Sequence, residues 1–149
     1  MSETLQSRQL VSLVKDDATL ELSIRTVAVP EPGPDEVVVR IEAAPINPSD
    51  LALLFGPADL SSAQVGGSED SPVISAPIPQ KLMPMVAGRV GEPMTVGNEG
   101  AGVVVKAGSS DAAQALLGKT VAVAGGEMFG EYRCVNLFMA MPMGEGVSA

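Results

Sequence analysis

Val96-Gly97-Asn98-Glu99-Gly100-Ala101-Gly102-Val103-Val104-Val105-Lys106-Ala107-Gly108 joins a polar turn to a β-branched run. Valines 103 to 105 fit a buried pleated surface, so the run is predicted to be a core strand. Gly100 and Gly102 carry no Cβ to hold off a neighbour, so another backbone or a ligand can approach closely at the start of that strand. Asn98 and Glu99 stand at its mouth. A hydrogen-bonding pair among small residues has two readings here, a site or a tight turn whose Asn is satisfied locally. The glycine spacing imitates a phosphate fingerprint, but this turn precedes its strand. A phosphate cradle follows a strand and opens a helix, so none is expected here.

On the N-terminal side, Val37, Val39 and Ile41 face one way and Val38, Arg40 and Glu42 the other, a strand that ends at Ala43-Ala44-Pro45. Leu20, Leu22 and Ile24 alternate with Glu21, Ser23 and Arg25 in a half-buried strand over 20–29. A weaker alternation over 10–15 precedes it, with Asp16-Asp17 as the turn between them. Residues 30–35 hold three prolines and a glycine and must be a connection. Asn47-Pro48-Ser49-Asp50 begins a helical turn in which Asn47 or Ser49 caps and Asp50 suits the first turn. Leu51 to Phe55 form its apolar body and Gly56-Pro57 stops it.

In residues 57–95 neither periodicity persists, and a connection of that length is a lid, a binding loop or disordered. Its apolar pieces, 73–78 and 82–87, mark parts that pack. Beyond the central stretch, residues 109–118 read as a short capped helical turn closed by Gly118, and 119–123 as a strand. Gly125-Gly126 is a sharp turn and 132–136 a further strand, with Cys134 alternating into the core.

The chain has 149 residues, the size of one domain. With 16 glycines, 12 prolines and 46% hydrophobic residues, it is expected to be a folded, turn-rich β domain whose core is aliphatic, since Phe, Tyr and Trp make up only 3%. A net charge of -9 opposes nucleic acid and anionic membrane as partners. No apolar run approaches the ~20 residues of a membrane span, and Met1-Ser2-Glu3-Thr4 lacks signal-peptide features, so a cytoplasmic location is expected. One cysteine and no histidine exclude an internal disulfide, a Cys/His zinc cluster and a His-based triad.

The ordered set of Pro-Glu-Pro-Gly-Pro at 30–34, the 36–41 strand, Asn47-Pro48-Ser49-Asp50, Gly97-Asn98-Glu99-Gly100-Ala101-Gly102 and Gly118-Lys119-Thr120-Val121 resembles the catalytic domain of the medium-chain dehydrogenase/reductase superfamily. Within it, the chain is most similar to the quinone oxidoreductase and enoyl reductase branch. The resemblance implies a mainly β fold with short helices, a GroES-like partly open β-barrel. It makes residues 1–149 a substrate (catalytic) domain with 57–95 as an enlarged loop excursion. The Rossmann nucleotide-binding domain that holds NADP or NAD in the complete enzyme is absent from this stretch. The isolated chain is therefore not expected to bind the cofactor tightly or to turn over.

In zinc-dependent alcohol dehydrogenases of that superfamily a cysteine sits where this chain has Asn47 and a histidine where it has Asn98, with a glutamate matching Glu99. Neutral amides are poor Zn²⁺ ligands beside thiolate or imidazole, so zinc is not expected. A carbonyl must then be polarised by hydrogen-bond donors: the carboxamides of Asn47 and Asn98 and the hydroxyl of Ser49. Quinones and conjugated enones suit such a site as small-molecule substrates. Asn47 is also the candidate for the nicotinamide side, Asp50 either caps the helix start or supports the catalytic residues from behind, and Glu99 orients the turn or acts as a base. Related reductases often place tyrosines just after the Asn-Pro-x-Asp phrase, where this chain has Ala52 and Ala58. Tyr132 reads as structural. The alternative is a non-enzymatic GroES-like binding or assembly module without a cofactor domain. Homo-oligomer formation stays open in either case.

Overall fold

The computed structural model describes residues 4–149; the start Met1-Ser2-Glu3 lies outside them. The chain divides into two compact units, one built from Met1–Gln9, Thr26–Pro45 and Gly97–Ala149, the other from Leu10–Arg25 and Ile46–Val96. In chain order the elements among the described residues are β1 (Gln6–Val14), β2 (Thr19–Ala28), β3 (Glu36–Ala43), α1 (Pro48–Leu54), β4 (Gln64–Gly67), β5 (Pro72–Pro77), β6 (Met94–Thr95), β7 (Glu99–Ala107), α2 (Asp111–Gln114), β8 (Thr120–Ala124), β9 (Tyr132–Asn136) and β10 (Ala140–Pro142). Three-ten turns lie at Leu60–Ser62, Gln80–Arg89 and Leu137–Met139. The fold is mainly β with short helices, as expected.

The first unit carries an antiparallel sheet in the order β10-β8-β7-β3-β9. Because β3 has a neighbour on each side, its backbone groups are paired along both edges and its valines sit deepest. Val37, Val38 and Val39 are all fully buried, so the face expected to alternate away from the core is covered at Val38 too. Valine dominates the core: Val37 and Val39 cluster with Val104 of β7 and Val121 and Val123 of β8, and Leu116 and Met128 pack among them.

Glycines in this sheet serve close backbone contact. A Cβ at Gly102 would lie 1.9 Å from the Arg40 carbonyl oxygen, and one at Gly100 would lie 3.0 Å from that of Ala43. The register between β3 and β7 shifts between Ile41 and Ala43. That bulge pushes the β3 backbone toward β7 at the two residues that have no side chain to oppose it. The choice left open between backbone and ligand is therefore settled for backbone. At the far end of β7, Gly108 lies against the Pro30–Asp35 connection, where a Cβ would come 1.9 Å from the Gly33 carbonyl oxygen. The Gly108 N–H donates to the Glu36 carbonyl at 2.8 Å.

The start of β1 is tied into the same unit through Glu131. Its carboxylate accepts the Arg8 backbone N–H at 2.9 Å and the Arg8 guanidinium at 3.1 Å, while its own N–H donates to the Arg8 carbonyl at 3.1 Å. The backbone donor foremost, opposed by slight desolvation and then helped by the guanidinium, holds the Glu131 carboxyl below the usual range.

The second unit carries the order β4-β5-β2-β1-β6. The expected turn after β1 is present: the Lys15 N–H donates to the Thr19 carbonyl at 2.8 Å, Ala18 takes a left-handed φ of 61°, and Lys15 pairs with Glu21. Leu20 and Leu22 point into the core as their alternation requires. Residues 57–95, where no period was found, nonetheless contain β4, β5, the Gln80–Arg89 three-ten segment and β6. β5 pairs with β2 through Leu20↔Ala76 and Leu22↔Ile74. The elements are too short or too exposed to show a period: β4 is exposed throughout and half glycine, β6 has two residues, and the three-ten turn repeats every three residues with Pro84 inside it. Val86, Ile78 and Leu20 form the small core of this unit with Phe55 and Leu82 packed against it.

Gly102→Ala is expected to destabilise the protein by at least about 3 kcal/mol in urea unfolding, the upper part of the range for single substitutions, because either β3 or β7 must move. The depressed Glu131 carboxyl contributes stability that is present above its unfolded pKa and is lost as pH falls through the folded value. Glu131→Gln should flatten the acid limb of a stability-versus-pH curve, and a variant whose acid limb superimposes on that of the wild type would contradict this account.

Candidate functional site

Asn47, Ser49 and Asp50 are brought together by the start of α1. Asn47 occupies the cap position with extended backbone angles, φ -87° and ψ 157°, and Pro48 follows at the first helical position, where its missing N–H costs no hydrogen bond. Asp50 completes a capping box: its carboxylate accepts the Asn47 N–H at 2.8 Å, and the Asn47 side chain accepts the Asp50 N–H in return. Asn47 rather than Ser49 is therefore the cap. Ser49 lies exposed in the first turn, Asn47 is half-buried, and Asp50 is 2% exposed. A carboxamide that accepts from the helix through its oxygen presents its NH₂ as the donating half, the half a carbonyl substrate needs.

The other end of α1 is held by residues distant in sequence. Arg89, last residue of the three-ten segment, donates to the Leu53 carbonyl at 3.0 Å and to Ser12 Oγ at 2.7 Å. Ser12 Oγ, fully buried in β1, donates in turn to the Leu54 carbonyl at 3.1 Å. Two carbonyls that a seven-residue helix leaves over at its C-terminus are thus satisfied, one of them by a cation where the helix dipole favours positive charge. Desolvation pulls the Arg89 guanidinium below its usual pKa. Sequence reasoning passed over both residues. Their signal was a single arginine between the apolar pieces around Val86 and Val90 and a serine inside an apolar strand.

Asn98 and Glu99 are brought together at the start of β7. Gly97 precedes them with φ 96°, and a Cβ there would meet the Phe129 backbone nitrogen at 2.7 Å, so glycine is required on both counts. The Gly97 and Asn98 carbonyls accept from Met128 at 3.1 Å and from Gly126 at 3.2 Å. Glu99 pairs with Ala124 at the first rung of the β7–β8 ladder. Both side chains are exposed. The Asn98 turn thus has a clear structural role, and it also presents its carboxamide at the surface of its unit.

Tyr132 is fixed through its backbone, whose N–H donates to Ser7 Oγ at 3.1 Å. Cys134 is half-buried rather than fully buried, with its sulfur 3.8 Å from the Glu36 carboxylate. Burial first, and then that negative charge, push its thiol pKa up, which is the opposite of an activated nucleophile.

Among the described residues, no three of His, Cys, Asp and Glu gather as a metal-binding group, and no helix is long and apolar enough to cross a membrane. The described ladders are antiparallel, and the two α-helices have seven and four residues. A dinucleotide needs a parallel strand, a glycine turn and a following helix whose first amides face the phosphates. The described residues do not fit that group.

A mainly β chain with short helices, in which glycine-rich β7 pairs with β3 and an Asn-capped short helix follows β3 in sequence, has the features of the GroES-like class. The family model for the alcohol dehydrogenase GroES-like domain matches residues 33–145, and the chain belongs to that family. Its fold is similar to that of a candidate NADPH:quinone reductase from Mesorhizobium loti at 23% identity and TM-score 0.59, covering 99% of this chain and 39% of that one. It is similar to a quinone oxidoreductase from Coxiella burnetii at 15% identity and TM-score 0.58, covering 95% and 38%. It is also similar to the CurK enoyl reductase at 16% identity and TM-score 0.59, covering 95% and 36%. The chain thus spans about two fifths of the length of these proteins. No curated protein matches it by sequence.

Asn47→Ala removes the accepting half of the capping box and should cost about 1 kcal/mol in denaturant unfolding, with Asn47→Asp close to wild type because Asp caps equally well. Equal loss in both variants would show that the cap is not what Asn47 contributes to the fold.

Proposed function

We propose that this chain is the substrate side of an NAD(P)H-dependent oxidoreductase that reduces quinones or conjugated enones without zinc. The observation that carries the reading is the identity of two side chains: amides stand at Asn47 and Asn98, where the resembling zinc enzymes keep cysteine and histidine. Asn47 gives its oxygen to the helix cap, which orients its NH₂ as a donor, and the Asn98 carboxamide is exposed beside a glycine-fixed turn. Such donors stabilise negative charge that develops on an acceptor oxygen. Quinones and enones spread that charge over a conjugated system, which lessens the demand on any one donor. The nicotinamide cofactor supplies the reducing equivalents and is held outside these 149 residues. The similarity to a quinone oxidoreductase and an enoyl reductase supports the substrate class.

The test uses the two-domain enzyme that contains this domain, with NADPH consumption measured on a naphthoquinone and on an enone. Turnover should survive prolonged chelation, and Asn47→Ala or Asn98→Ala should lower kcat by about 100-fold, the loss typical of one oxyanion donor. Activity that disappears on metal stripping and returns with Zn²⁺ would refute the reading. A protein that neither binds NADPH nor reduces either acceptor would favour the binding-module alternative.

A further inference from the structure

We infer that Arg89 is a positioning residue for Asn47, acting through the whole length of α1. The inference rests on the proposed role of Asn47 for its functional meaning, but its physical content stands on the geometry alone. α1 has seven residues, less than two turns, and a helix that short has no independent stability in water. Its orientation is set by what holds its two ends. At the N-terminus the capping box bonds Asn47 and Asp50 to each other and fixes the local turn.

The C-terminus is tethered to distant parts of the same unit. Arg89 Nη1 reaches the Leu53 carbonyl, Arg89 Nη2 reaches Ser12 Oγ, and Ser12 Oγ reaches the Leu54 carbonyl, so one guanidinium joins β1, α1 and the Gln80–Arg89 segment. The packing agrees with the bonding. Leu54 is buried, and a Cβ on Gly56, just past the helix, would contact Val86 of the same three-ten segment at 3.7 Å.

Two details separate this arrangement from an incidental surface bond. Arg89 has no acidic partner among the ion pairs of the described residues, so its charge is directed at the helix carbonyls. Its Nε is buried with no hydrogen-bond partner, a desolvation cost that the two Nη bonds must outweigh. Arginine also suits the place better than lysine, because its planar fork serves two acceptors at fixed spacing. A change at residue 89 therefore reaches residue 47 as a tilt or loosening of α1, without touching the capping box.

The test is carried out on the 149-residue chain by NMR, so its outcome is independent of any activity. The chain has three asparagines, Asn47, Asn98 and Asn136, and their side-chain amide signals can be assigned one by one. In Arg89→Met the Asn47 carboxamide signals should shift or broaden while those of Asn98 and Asn136 stay in place. Hydrogen exchange at the Leu54 and Phe55 amides of α1 should accelerate about 10-fold. Arg89→Lys should recover part of both effects, since one carbonyl contact can be kept. Should Arg89→Met unfold the chain, Ser12→Ala provides the milder cut, removing one link of the same chain of bonds, and is expected to move Asn47 in the same direction. A folded Arg89→Met or Ser12→Ala variant with unmoved Asn47 signals overturns the inference, as would equal shifts at all three asparagines, which would mark a general loss of structure. Loss of activity in the Asn47 variants bears on the proposed function alone.

Discussion

The carbonyl of Arg40 and the α-carbon of Gly102 lie so close that no side chain fits between them, and the first unit is arranged around that contact. Because β3 is flanked by β7 and β9, any displacement at this point is felt on both sides of the strand that carries Val37, Val38 and Val39. The register shift between Ile41 and Ala43 is the other half of the same feature. A bulge redirects a strand, and here it redirects the end of β3 just before the chain enters the Asn-Pro-Ser-Asp phrase. The glycines of the central stretch thus act on the backbone path of β3 and β7. The phosphate-like spacing of those glycines has no counterpart in the geometry, since β7 follows the turn and no helix opens from it.

The candidate residues lie in two local constellations with different mechanical character. Asn98 and Glu99 stand where a strand begins, behind a glycine whose φ of 96° and whose contact with Phe129 leave the turn little freedom. Asn47, Ser49 and Asp50 stand on a helix too short to hold itself, whose far end is anchored by Arg89 and Ser12. The first constellation is stiff because of its backbone. The second is held at its far end by a half-buried guanidinium and a buried hydroxyl, which satisfy carbonyls that would otherwise seek water. An amide donor is useful only if its direction is fixed before the substrate arrives, and in the proposed reading these two solutions fix one donor each.

Family membership and proposed chemistry rest on different kinds of observation. Membership follows from a family model that spans most of the chain. The solved structures, all below 25% identity, add the fold. The substrate class and the metal-free mechanism rest on side-chain identity, on amides where relatives use softer ligands, and on what those amides can donate.

The sequence by itself determined the elements whose period is long enough to register. β3 and β7 were legible from valines, the α1 start from Asn-Pro-Ser-Asp, and the β1–β2 turn from Asp16-Asp17. It also determined which chemistry is available, because a chain without histidine and with one cysteine has few nucleophiles or soft ligands to offer. Only the tertiary structure decided what pairs with what. β4, β5 and β6 are strands because a neighbour supplies their hydrogen bonds; alone, four exposed residues or two carry no pattern. Asn47 became the cap rather than Ser49 through one reciprocal bond with Asp50. Arg89 acquired its role from contacts 77 and 36 residues away, and no local window of sequence contains a bond between residues so far apart.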